Sequence, residues 1–80
     1  MSVTVHAGRL RFEIACRGWS ASDLAREARL SPATISAALA GRPVAATSVS
    51  LIAKALAGAP PDEIIDRLLR DQRDGRDLVG

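Results

Sequence analysis

Residues 21–40 read ASDLAREARLSPATISAALA, and the fold turns on them. Ser20 stands just before the stretch as a helix N-cap, and Asp23 three residues on makes a variant of the capping box. Leu24, Ala25 and Ala28 fall on one face of the helix that follows, with Ser22, Asp23, Arg26 and Glu27 on the other. The chain turns at Arg29-Leu30. Ser31 is placed to cap a second helix with Pro32 at its first position, where a missing N–H loses nothing. Ile35, Ala38 and Leu39 face inward, Gly41 stops the helix and Pro43 prevents its continuation. Two such short helices cross closely only where a small side chain, Ala25, lets the backbones meet. Leu24, Ala28, Leu30, Ile35 and Ala38 lock the pair. The pattern is a helix-turn-helix.

The flanking sequence supplies the rest of an all-α domain. Ser2 to Val5, SVTV, alternates and reads as a short strand or an arm. A first helix runs from about Ala7 to Arg17, with Leu10 and Ile14 four apart and Gly18 at its end. A fourth runs from about Ala46 to Ala57, with Val49, Ile52, Ala53 and Leu56 as its inner stripe. Ala45 sits where a cap is expected, so Thr47 is the candidate to serve. Pro60-Pro61 opens a fifth helix with Asp62 and Glu63 in its first turn, where the helix dipole favours acids. Ile64, Ile65, Leu68 and Leu69 make its apolar stripe. The expected architecture is a five-helix bundle over residues 1–70, followed by a charged tail over 71–80.

Eighty residues make one small domain that buries about 60% of its extended surface. At 48% hydrophobic and 25% charged, the composition is that of a globular chain. One Trp, one Phe and no Tyr leave an aliphatic core, with Trp19 as a lid between the first two helices. No stretch nears the ~20 apolar residues of a membrane span, and MSVTVHAGRLRF lacks a signal-peptide core. The single cysteine, Cys16, excludes an internal disulfide and fits a reducing cytoplasm. Cys16 is expected to be a buried small hydrophobe and His6 a surface residue; together they fall short of a zinc site. Residues 1–58 carry seven basic against three acidic side chains, a net of +4, and residues 59–80 four against six, a net of −2. A basic body of this kind suits a nucleic-acid partner.

The strings DLAREARLSPATISAALAGRPV and SLIAKAL, within the span from about Gly8 to Ile65, resemble the Cro/lambda-repressor-like (XRE-type) helix-turn-helix domain. SPATISAALAG is also similar to the recognition segment of the lac-repressor headpiece, although here a full helix precedes the motif. The resemblance implies a double-stranded-DNA-binding transcriptional regulator of bacterial or phage type, cytoplasmic and nucleoid-associated, with its third helix in the major groove. By the same resemblance Pro32, Ala33, Ser36 and Ala37 would face bases, and Ser31 and Thr34 the groove edge. Backbone amides near Ser20, Ala21 and Ser22, and near Thr47 and Ser48, would hold phosphates. Arg42, Arg26 and Arg9 would be phosphate contacts, and Arg29 would project a charge from the turn. Where the family often has a Gln clamp stands Ala21, and where it usually has a turn Gly stands Arg29.

Pro32, Ala33 and Ala37 offer no side-chain hydrogen bond to a base. The ~1–3 kcal/mol of discrimination that a bidentate pair supplies is therefore absent from those positions. Affinity would come mainly from phosphates, with modest specificity through thymine methyl groups, Ser36 and Thr34, or DNA shape. A lone module covers little DNA, so a homodimer on two half-sites is expected. Leu51 and the stripe of Ile64, Ile65, Leu68 and Leu69 are the candidate dimer interface, the stripe also packing back on the first helix. Two other readings stay open: a protein-interaction module of antitoxin or adaptor kind, and an architectural or recombination-directing DNA binder. Ser20, Ser22, Ser31 and Ser36 have no histidine partner nearby for nucleophilic catalysis, so no enzyme, cofactor or metal is expected.

Overall fold

The computed structural model describes residues 1–62, 64, 65 and 67–69, and it is mostly helical. The element order is β1 (Ser2–Val3), α1 (Ala7–Cys16), α2 (Ala21–Ala28), α3 (Pro32–Leu39), β2 (Val44–Ala45) and α4 (Ala46–Ala57). Residues 64, 65 and 67–69 are helical and belong to the fifth helix. The expected tail at 71–80 lies outside the described residues.

Each helix starts and stops for a local reason. His6 caps α1, its Nδ1 accepting the Arg9 N–H at 3.1 Å. Ser20 and Asp23 close a reciprocal capping box on α2, and Ser31 caps α3 with Pro32 in the first turn. The sequence expectation for α4 fails at its cap: neither Thr47 nor any other side chain caps it. The Ala46 N–H instead donates to the Met1 carbonyl at 3.0 Å. That bond extends the antiparallel pairing of Ser2 with Ala45 and Val3 with Val44, so Ser2–Val3 is a short strand rather than a loose arm, with Thr4 and Val5 outside it. Asp62 also differs from expectation. Its Oδ1 accepts the N–H groups of Ile64 and Ile65 at 2.9 and 3.1 Å, so it acts as the cap of the fifth helix and not as a first-turn residue.

The core joins Leu10 and Ile14 of α1, Leu24, Ala25 and Ala28 of α2, Ile35 and Ala38 of α3, Val44 of β2 and Ile52 of α4. Leu24 and Ile35 have no exposed surface at all. Burying a side chain of that size contributes about 1.5–3 kcal/mol relative to leaving it in water. Trp19 and Leu30 pack against this cluster from its margin. The inner stripe of α4 is only partly covered. Ile52 is buried, Val49 and Leu56 are half-buried, and Ala53, expected inside, is exposed on an apolar groove between α1 and α4. Ala55 packs on the core instead. The reason is geometric: α4 makes its main helix contact with α2, which turns Ala53 away from the cluster.

Arg17 ties the last turn of α1 to the end of α4. Its guanidinium donates to the carbonyls of Leu56, Ala59 and Glu13 and pairs with the Glu13 carboxylate at 2.9 Å, and its side chain is only 9% exposed. The Asp62 N–H reaches the Cys16 carbonyl at 2.7 Å, closing the same junction. Cys16 is buried as expected, at 1% exposure. The Ile65 side chain comes to this end as well, 3.6 Å from where a Cβ on Gly18 would stand. The fifth-helix stripe therefore divides: Ile65 and Leu69 are half-buried, whereas Ile64 and Leu68 are 73% and 62% exposed.

Candidate nucleic-acid interface

The outer face of α3 is built from Pro32, Ala33, Ser36 and Ala40, all exposed. On a helix of 3.6 residues per turn these four span an arc of roughly 100°, with Ile35 and Ala38 on the other side. Ala40 belongs to this face through its i+4 spacing from Ser36, a signal that the sequence reading passed over. Ala37 does not belong to it. One step of about 100° beyond Ser36 carries it to the flank of the helix, where it packs against the core. Its carbonyl accepts the N–H groups of Ala40 and Arg42 as the chain folds over the helix end.

The hydroxyls at the start of α3 are engaged with each other. Ser31 Oγ accepts the Thr34 N–H at 3.2 Å and lies 2.9 Å from Thr34 Oγ1. A hydroxyl in such a pair keeps spare acceptor capacity, but its orientation is set by the cap. Ser36 is the one exposed hydroxyl on the outer face that does not serve the cap. The turn before α3 carries Arg29 in the left-handed conformation, at φ 59° and ψ 43°. The turn after it carries Gly41 at φ 75°, then Arg42.

The N-terminus of α2 carries an anion of its own. The family resemblance implies phosphate-holding amides near Ser20, Ala21 and Ser22. In the structure the Ser20 N–H donates to Asp23 Oδ2 at 2.8 Å and the Asp23 N–H to Ser20 Oγ at 3.1 Å, so the capping box takes up both of those donors. The bond from the Ser20 N–H, followed by those from the Ser20 hydroxyl and Arg26, keeps the Asp23 carboxyl below its ordinary value and therefore charged. A second anion would meet like charge there. Ala21 is half-buried and packs on the core, leaving Ser22 exposed. The N-terminus of α4 differs. No side chain occupies it, Thr47 is exposed and Ser48 half-buried, and the positive end of the helix dipole faces outward.

Internal partners sort the basic side chains. Arg9 pairs with Glu13 at 2.8 Å, Arg26 with Asp23 at 2.8 Å, and Arg11 donates to the Leu39 carbonyl at 2.7 Å. Arg17 is enclosed, as described. Arg29, Arg42 and Lys54 are exposed and hold no ion pair or side-chain hydrogen bond among the described residues. Two of these three bracket α3. Charge counting on the sequence does not separate them from Arg11 and Arg17, whose backbone acceptors at Leu39, Leu56 and Ala59 lie 28, 39 and 42 residues away.

Among the described residues no set of three or more His, Cys, Asp or Glu side chains comes together as a metal site, and no helix is long and apolar enough to cross a membrane. The groove between α1 and α4 is mostly apolar, with His6, Arg9 and Glu13 among its lining residues. Leu51 stands 39% exposed on α4, apart from that groove. Comparison with known protein families, with curated proteins and with solved structures found no match to this chain.

Proposed function

We propose that this chain is a double-stranded-DNA-binding regulator of the Cro/lambda-repressor-like helix-turn-helix kind, with α3 entering the major groove. The observation that carries the reading is the placement of unpartnered cations. Arg29 and Arg42 lie at the two ends of a capped, solvent-facing helix, while the arginines elsewhere in the body are held by internal partners. Phosphates supply most of the affinity, through Arg42 and the open amides at Thr47 and Ser48. Base contact is left to Pro32, Ala33 and Ser36. It consists of apolar contact with thymine methyl groups and one short hydroxyl, so specificity is modest and leans on DNA shape. Arg26 and Arg9 each give one nitrogen to a neighbouring carboxylate and would share the rest of the guanidinium with a phosphate.

The test is fluorescence anisotropy of a labelled mixed-sequence duplex titrated with the protein at several salt concentrations. Affinity that falls steeply with salt, by about 0.9 in log–log slope per phosphate contact, supports the reading. No binding at low salt rejects it.

A second reading is supported by the exposed large side chains Leu51, Ile64 and Leu68. They give the domain an apolar surface for a second copy on a twofold-related half-site, or for a protein partner of antitoxin or adaptor kind. Leu51→Glu or Leu68→Glu that abolishes self-association and DNA binding together favours the homodimer. Loss of a protein partner with Arg42→Ala silent favours the interaction module.

A further inference from the structure

The chain ends three helices with one device, and only one of the three breaks its rule. After α1, the Trp19 N–H reaches back to the Ile14 carbonyl at 2.9 Å and the Gly18 N–H to Ala15 at 3.0 Å. After α3, the Arg42 N–H reaches the Ala37 carbonyl at 2.9 Å and the Gly41 N–H that of Ala38 at 3.1 Å. After α2, the Leu30 N–H reaches the Ala25 carbonyl at 2.9 Å and the Arg29 N–H that of Arg26 at 3.3 Å. All three are the Schellman arrangement, which puts one residue in the left-handed conformation. At Gly18 and Gly41 that residue is glycine, at φ 69° and 75°. At the third it is Arg29, at φ 59°.

Gly41 is an internal control. Nothing lies within 4 Å of a Cβ built there, so crowding does not require a glycine and the backbone conformation alone accounts for one. The same conformation at Arg29 carries the steric penalty that glycine avoids. No local interaction offsets it: the Arg29 side chain is exposed and makes no hydrogen bond or ion pair among the described residues. A strained backbone at an exposed, unpartnered cation is an outlier that calls for a function rather than a structural role.

We propose that Arg29 is a DNA-backbone contact built into the α2–α3 turn, where fold stability is given up to hold a guanidinium against a phosphodiester. The proposal rests on the DNA-binding reading and deepens it. Eight residues of α3 at 1.5 Å rise make about 12 Å, so Arg29 and Arg42 anchor the two ends of a helix whose own face carries methyl groups. The planar guanidinium suits this ligand, because it donates two parallel N–H bonds to phosphate oxygens.

The experiment pairs thermal unfolding with anisotropy of the labelled mixed-sequence duplex for the full chain and for Arg29→Gly, Arg29→Asn and Arg29→Lys. Glycine relaxes the turn, so Arg29→Gly melts a few degrees higher than the wild-type chain. It nevertheless binds DNA about three- to tenfold more weakly, with a salt slope lower by about 0.9. Arg29→Asn, whose side chain tolerates the left-handed region, shows the same loss of binding, and Arg29→Lys recovers the slope. Wild-type affinity and slope in Arg29→Gly overturn the proposal while leaving the DNA reading in place. A lowered melting temperature in Arg29→Gly overturns it too, since the side chain would then support the fold. If the wild-type chain itself fails to bind the duplex at low salt, the DNA reading fails and the proposal with it.

Discussion

Arg17 and Arg42 carry the same guanidinium in opposite surroundings. Arg17 sits at the end of α1 with its donors spread over three backbone carbonyls and one carboxylate, almost out of reach of water. Arg42 stands just past α3, exposed, with no such partner among the described residues. The first is part of the scaffold, and the second is available to a ligand. A net charge treats them alike, so it measures the capacity to bind an anion only after the internally committed cations are removed from the count.

The largest effect that tests this contrast is Arg17→Ala. Several carbonyls lose a charged donor and Glu13 loses its enclosed partner, so the domain is destabilised by about 2–4 kcal/mol in urea unfolding. The salt slope of the proposed DNA binding, measured where the variant is still folded, stays the same. A loss below about 0.5 kcal/mol would put Arg17 with the surface arginines and break the comparison.

Caps give the next largest effect. Ser20→Ala removes the hydroxyl that receives the Asp23 N–H and costs about 1 kcal/mol, whereas Thr47→Ala at α4 removes no cap and leaves the unfolding midpoint in place. Equal losses at both positions would mean that α4 is capped after all.

Acid titration sharpens the Arg17 side. The hydrogen bond from Arg17, opposed by partial burial and seconded by Arg9, holds the Glu13 carboxyl below its ordinary value of 4.5. A carboxyl lowered by folding stabilises the native state at pH above its unfolded value. That contribution is lost as pH falls through the folded value. Stability should therefore decline below about pH 4.5, and Glu13→Gln should flatten that limb while losing about 1 kcal/mol at neutral pH. An unchanged acid limb in the variant would assign the decline to other carboxylates.

The smallest expected change in stability is at Arg42→Ala, within about 0.5 kcal/mol of the parent, whereas on the proposed function DNA affinity is several-fold weaker and the slope lower by about 0.9. A stability loss there of the size expected for Arg17 would erase the distinction.

Much of this frame was legible in the sequence because it is set by near neighbours. The capping residues Ser20 and Ser31, Pro32 at the start of α3, the limits of α4 and the turn at Arg29 depend on interactions three to five residues long. What escaped depends on distant partners. The Arg17 bonds span about 40 residues, and the Met1 carbonyl completes a helix that begins at Ala46. The outward turn of Ala53 and the inward turn of Ala37 follow from which helix lies alongside, and alanine gives little hydrophobic signal for either outcome. Asp62 was legible as an acid near a helix start, but its step from first turn to cap depends on where the Cys16 carbonyl holds the chain.

That last bond makes Cys16 a reporter of a different kind. Cys16 is 1% exposed, and its backbone belongs to the junction where Arg17 and Asp62 join α1 to the segment after α4. A thiol-directed reagent reaches it only when the surrounding structure opens, so the labelling rate at fixed pH counts openings. If the opening is local, labelling proceeds faster than global unfolding allows and depends little on urea. If it is global, the two rates coincide, and the free energy of the whole domain can be read by chemical quench at one atom.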